Sequence, residues 1–149
     1  MKKFITFLFF TLSPLYCFSQ NDTLSLTKTQ IEKSTKVLHY WIEEMFKGED
    51  VEGLMSVSDV PFAFDRKKVI KSRAELKALY HKIFKDRGKR KVPYYTTEIF
   101  EYKDEIIERC IPISIIKAKV MIIENNRREG ALASIVFKNN EYKVVGFSD

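Results

Sequence analysis

Residues 131–147 read ALASIVFKNNEYKVVGF: two runs rich in β-branched and aromatic residues, Ala131 to Lys138 and Tyr142 to Phe147, joined by Asn139-Asn140. Such side chains fit a pleated, half-buried surface, and paired asparagines tolerate the positive φ angles of a tight two-residue turn. The stretch therefore reads as a β-hairpin. The same composition recurs upstream in Val92 to Tyr102 and Ile106 to Ile123, with Asn125-Asn126 as a second tight connection. Strands joined by turns this short pair antiparallel, so the second half of the chain is expected to build an antiparallel sheet.

The first half follows a different period. From Gln30 to Lys47, Ile31, Ser34, Leu38, Trp41, Ile42 and Met45 share one helical stripe, whereas Glu32, Lys36, Tyr40, Glu43, Glu44 and Lys47 lie away from its centre. Gly48 fits a C-terminal stop. Asp50 suits the N-cap of a short helix over Val51 to Val57, with Leu54 and Met55 as apolar contacts. Asp59-Val60-Pro61 ends it, because the residue before a proline avoids the helical region. Phe62-Ala63-Phe64-Asp65 alternates large and small and predicts a strand, and Lys67-Lys68-Val69-Ile70 follows after a bend. Ser72 with Glu75 makes a capping-box pattern for a third helix, whose stripe is Leu76, Leu79, Tyr80, Ile83 and Phe84 and whose stop is Gly88. Helices followed by a run of hairpin-linked strands define an α+β fold.

The N-terminus carries a separate message. Met1-Lys2-Lys3 precedes the apolar run Phe4 to Leu12, and Ser13-Pro14 follows, the order of a secretory signal peptide over residues 1–19. The run is shorter than the roughly 20 residues a membrane-spanning helix needs. Cys17 and Ser19 are small enough for the −3 and −1 positions of a peptidase site, which predicts cleavage before Gln20 and no integral membrane span afterwards. Lipid attachment at Cys17 is disfavoured because Tyr16, the residue before it, is large. Residues 20–29 are polar and expected to be a flexible leader, and residues 30–149 a single domain. Cleavage leaves 130 residues with one cysteine, Cys110, so no internal disulfide forms. It also lowers the formal charge from +6 to +4. That mild excess, in an exported chain with acids spread throughout, argues against nucleic-acid binding. The expected location is periplasmic or extracellular.

The order of elements resembles the nuclear transport factor 2-like superfamily, including its SnoaL-like branch, over about Gln30 to Asp149. The resemblance is carried by Val57-Ser58-Asp59-Val60-Pro61-Phe62, by Ile70-Lys71-Ser72-Arg73-Ala74-Glu75-Leu76, and by the closing Glu141-Tyr142-Lys143-Val144-Val145-Gly146-Phe147. It implies a cone in which a curved antiparallel sheet wraps around about three N-terminal helices and leaves a cavity at the open end. Some members use that cavity for catalysis, others for binding or dimerisation. Enzymatic members place an acid and a base in it, commonly Asp with His, Tyr or Arg, and no such set transfers onto this sequence residue by residue.

The candidate pocket-lining residues are Leu38, Trp41, Ile42, Phe62, Phe64, Tyr80, Phe84 and Tyr95. Two carboxylates are catalytic candidates. Asp65 follows two phenylalanines, but alternation puts it on the face opposite them, with Arg66 at hand to pair. Glu98 is in phase with Tyr94, Thr96, Phe100 and Tyr102, and is a buried acid only if that face lines the cone. His39 and His81 fall at the margin or outside of their apolar stripes, which favours surface roles. Cys110 reads as a small buried hydrophobe, with only Arg109 beside it to activate the thiol. Neither a metal site nor a cofactor motif is expected. Lys85, Arg87, Lys89, Arg90 and Lys91 form a basic run that complements a helix C-terminus. These readings point to an exported, non-catalytic domain that binds a small, mainly apolar ligand or a protein partner, with its sheet available for a homodimer. The alternatives are a small isomerase, dehydratase or cyclase using a carboxylate, and an interaction domain whose cavity is filled by side chains.

Overall fold

Thr27 starts the first helix, α1 (Lys28–Lys47): its Oγ1 accepts the Gln30 N–H at 3.3 Å while Gln30 Oε1 accepts the Thr27 N–H at 2.8 Å. This reciprocal cap lies outside the apolar stripe, so the helix begins two residues before the start predicted from periodicity. Gly48 closes it in the left-handed conformation, φ 67°, donating its N–H to the Glu44 carbonyl at 3.0 Å. The computed structural model describes residues 26–65, 67–102 and 115–148. The expected signal segment, most of the expected leader, Arg66 and Cys110 lie outside the described residues.

Asp50 caps the short helix α2 (Val51–Val57) through its carboxylate and the Gly53 N–H at 2.7 Å, and the chain passes directly into β1 (Ser58–Phe64) and β2 (Lys68–Ile70). Ser72 caps α3 (Arg73–Arg87). The remaining strands are β3 (Tyr94–Tyr102), β4 (Ile115–Glu124), β5 (Arg127–Lys138) and β6 (Glu141–Ser148). The Ile106 to Ser114 part of the predicted strand run falls outside the described residues. Asn125, Asn126, Asn139 and Asn140 all have positive φ, the two-residue turn geometry predicted for both pairs.

Among the described residues, six strands form one curved, unclosed sheet in the order β2-β1-β6-β5-β4-β3. Every pairing is antiparallel except β1 with β6, which is parallel, so the sheet is mixed rather than wholly antiparallel. No hairpin joins those two strands; α3 and four strands intervene, and turn geometry does not dictate their direction. Their register shifts between Ser58 and Ala63, a span that contains Pro61, which has no N–H to give to the ladder. A second shift between Ser134 and Ile135 in the β5–β6 ladder adds local twist, as bulges do.

The helices pack on one face of this sheet. Leu38, Trp41 and Ile42 of α1, Leu54 and Met55 of α2, and Leu76 and Tyr80 of α3 are buried against Phe62, Ile116, Ala118, Val120, Ile135 and Val144. Each large apolar side chain removed from water there contributes on the order of 1.5–3 kcal/mol. Arg73 clamps α3 to the α2–β1 junction by donating to the carbonyls of Met55 at 2.8 Å and Ser58 at 3.1 Å. On β3, Tyr95, Thr97 and Ile99 are half-buried toward α1, and Tyr94, Thr96, Glu98 and Phe100 are exposed on the opposite face.

Candidate functional site

Four side chains from the C-terminal half of α1, Trp41, Ile42, Met45 and Phe46, face the strand ends across a cavity of about 460 Å³. The sheet supplies Phe64 from β1, Ile122 from β4, Ala131 from β5 and Phe147 from β6. These converge because β1 and β6 run parallel and end together, with Phe64 opposite Phe147, and because β4 and β5 turn around at the same end. The Trp41 and Phe147 ring centroids lie 5.0 Å apart at a tilt of 38°. The floor of the cavity is therefore aromatic and apolar.

Its rim is charged. Asp65, Arg87, Arg90, Glu124 and Glu129 all border the opening, so a mainly apolar lining, the sequence-based expectation, describes only the floor. The Gly48 cap of α1 abuts the Gly88 cap of α3, where a Cβ on Gly48 would come within 3.1 Å of the Gly88 carbonyl oxygen. This contact brings the basic end of α3 to the mouth. Arg90 is fixed there: it donates to both Glu124 carboxylate oxygens, at 3.1 and 2.8 Å, and its guanidinium lies 5.7 Å from the Phe46 ring centre.

Asp65 reaches the rim by leaving the strand. Simple alternation places it on the face opposite Phe62 and Phe64, but β1 stops at Phe64. Asp65 adopts φ 52° and donates its N–H to the Phe147 carbonyl at 3.0 Å, so strand alternation no longer applies to it, and the exposed residue borders the cavity. Glu98 faces away from the helices, opposite Lys119 on β4, and is exposed.

Of the other candidates, Trp41, Ile42 and Phe64 stand on the cavity wall, whereas Leu38, Phe62 and Tyr80 are fully buried in the core behind it. Phe84 packs half-buried against that core. Tyr80 is a structural hub: Trp41 Nε1 donates to its hydroxyl at 3.0 Å, and its hydroxyl shares a hydrogen bond with Ser58 Oγ at 2.8 Å. Burial raises the Tyr80 hydroxyl pKa above its ordinary value, against the lowering effect of these bonds.

Tyr95 lies between α1 and β3, outside the cavity. It donates to Glu43 Oε1 at 3.3 Å, and desolvation together with the Glu43 charge pushes its pKa up to about 12. His39 sits beside it, edge-on to the Tyr95 ring at 5.2 Å, with Nε2 2.8 Å from Thr97 Oγ1. His81 is exposed on α3.

Sequence reading missed Phe46, Ile122, Ala131, Phe147 and most of the charged rim. Their shared signal is position: each lies near one end of its element, at the end where α1, α3, β1 and β6 terminate.

No protein-family model matches the chain, and no curated protein sequence does. Among solved structures it is similar to an NTF-2 like protein of unknown function from Shewanella oneidensis MR-1, at 13% identity and a TM-score of 0.52, over 80% of this chain and 98% of that one. A second NTF-2 like protein of unknown function, from Silicibacter pomeroyi DSS-3, matches at 14% identity and a TM-score of 0.52, over 83% and 97% of the two chains. The helical cell shape determining protein Pgp2 from Campylobacter jejuni matches at 16% identity and a TM-score of 0.56, over 83% of this chain but 42% of Pgp2. What these proteins share with the chain is the NTF2-like fold.

Proposed function

We propose that this chain is an exported binding module, and that the cavity at the open end of its cone holds one small amphipathic molecule. The observation that carries this reading is the cavity itself: about 460 Å³, floored by Trp41, Ile42, Phe64 and Phe147 and rimmed by charged side chains. That volume falls within the usual range for small-molecule sites, as does an apolar wall with a few orienting polar groups. Burying about 200 Å² of apolar ligand surface at ~25 cal/mol per Å² gives roughly 5 kcal/mol, enough for a dissociation constant near 0.2 mM before the rim contributes. Binding is favoured over turnover because the hydrogen-bonded polar groups of the interior, Tyr80 with Trp41 and Ser58, and Tyr95 with Glu43, lie behind or outside the wall. The charged groups on the rim are arranged for recognition.

Trp41 is the single tryptophan of the chain, so its fluorescence reports directly on the cavity. Single-ring and short-chain compounds titrated against the mature protein should shift or quench that emission saturably. Ala131→Leu, which extends a side chain into the cavity, should abolish the response while the far-ultraviolet circular dichroism stays unchanged. A response that survives Ala131→Leu, or no response to any compound, contradicts the proposal.

A further inference from the structure

We infer that the cavity selects ligands bearing a protonated amine on an aryl or alkyl body, with the amine held by Asp65 against an aromatic wall. This deepens the binding reading above and rests on it. The charges on the rim are not equivalent. Arg90 and Glu124 satisfy each other through two contacts of 3.1 and 2.8 Å. Among the described residues, the side chains of Asp65, Glu129 and Arg87 have no ion pair or hydrogen bond of their own, and they are the charges left for a ligand.

Asp65 is the best placed of the three. Its backbone N–H is tied to the Phe147 carbonyl at 3.0 Å, the preceding Phe64 stands opposite Phe147 in the sheet register, and the Phe147 ring lies 5.0 Å from Trp41. The backbone that carries this exposed carboxylate is thus anchored beside a wall of three aromatic rings. An ammonium group is attracted both by a carboxylate and by the face of an aromatic ring, whereas an anion is repelled by both. The rest of the rim points the same way. Three carboxylates against two guanidiniums leave one negative charge in excess on the wall. Arg87 occupies the last turn of α3, where a cation already complements the helix dipole. Arg127, two positions before Glu129 on the same face of β5, lines an adjoining recess together with Glu129, which turns Glu129 partly toward that recess and leaves Asp65 as the principal contact.

Three probes of one ring and similar length separate the possibilities: 2-phenylethylamine, 2-phenylethanol and 3-phenylpropanoate, titrated by calorimetry and Trp41 fluorescence. The amine should bind about five-fold or more tightly than the alcohol, the scale of one partly exposed charge contact, and the carboxylate most weakly. Asp65→Asn should weaken the amine about five-fold and leave the alcohol within roughly two-fold. Asparagine tolerates the positive φ at this position, so the turn and the wall are kept. Arg87→Gln should strengthen the amine, and added salt should weaken the amine alone. Equal binding of amine and alcohol, or an amine affinity untouched by Asp65→Asn, overturns the amine selectivity and leaves the cavity reading standing. Tightest binding by 3-phenylpropanoate, lost in Arg87→Gln, overturns it in favour of an anionic ligand. Failure of all three probes to bind defeats the cavity reading together with this one.

Discussion

Replacing Tyr80 by Phe removes one oxygen atom and keeps the ring, so the loss isolates the polar hub behind the cavity. The ring still packs on Phe62, with centroids 6.3 Å apart and nearly perpendicular planes. The Trp41 indole N–H and the Ser58 hydroxyl, both essentially inaccessible to water, each lose the partner that the hydroxyl provided at 3.0 and 2.8 Å. A buried polar group left unsatisfied costs about 1–3 kcal/mol, so two of them should cost roughly 2–4 kcal/mol, allowing for partial relaxation. At this chain length that corresponds to a fall in Tm of about 8–15 °C. Urea unfolding followed by Trp41 fluorescence measures the loss, and the slope of the transition should stay unchanged. Adding Ser58→Ala to Tyr80→Phe should recover part of it, because one of the two orphaned groups is then gone. A loss below about 0.5 kcal/mol for Tyr80→Phe would refute the reasoning, since it would mean that water or another group already serves Trp41 and Ser58.

Three further outcomes follow from the same geometry. Ser34→Ala on α1 should leave stability unchanged or raise it by up to about 1 kcal/mol in thermal unfolding, because Ser34 Oγ is buried with no hydrogen-bond partner among the described residues and alanine favours the helix. Burial acts to raise the Asp59 carboxyl, but Lys138 at 2.7 Å, the Val60 N–H and Arg73 outweigh it and hold the pKa below its ordinary 3.8. Its stabilising contribution is therefore present above about pH 4 and lost as pH falls through the folded-state pKa, and Asp59→Asn should flatten the acid limb of a stability-pH curve. Tyr95, raised from 10.0 to about 12, contributes stability that is complete below pH 10 and lost as pH rises through 12. An alkaline absorbance titration should show a late phenolate step that Tyr95→Phe removes.

The fold was legible where one face of an element is dry and its ends are punctuated. Leu38, Trp41 and Ile42 repeat at helical spacing because one side of α1 is buried, and the two Asn-Asn pairs mark their turns because few other residues accept consecutive positive φ angles. The parallel pairing of β1 with β6 was not legible, since it links strands about eighty residues apart and no local turn encodes it. The site was legible only in part for the same reason. Trp41, Ile42 and Phe64 belong to apolar patterns that any buried face displays, and those patterns do not separate a cavity wall from the core behind it, where Leu38, Phe62 and Tyr80 lie. Asp65 was recognised as a candidate, but alternation could not place it, because that rule holds only while the strand continues and β1 ends one residue earlier. Arg87, Arg90, Glu124 and Glu129 resemble ordinary surface charges in sequence, and only the meeting of the α3 end with the β4–β5 hairpin gathers them around one opening.

The central claim, that one small molecule occupies the cavity at the cone mouth, is tested most directly by mapping nuclear magnetic resonance shifts on the isotope-labelled domain, residues 20–149, saturated with 2-phenylethylamine. The account predicts that the largest changes fall on the Trp41 indole N–H, the Ala131 methyl group and the backbone amides of Phe64, Asp65 and Phe147, all of which border the cavity. Changes confined to the outer face of α1 around Ile31, His39 and Tyr40, or to the exposed β3 face carrying Tyr94 and Glu98, would contradict it.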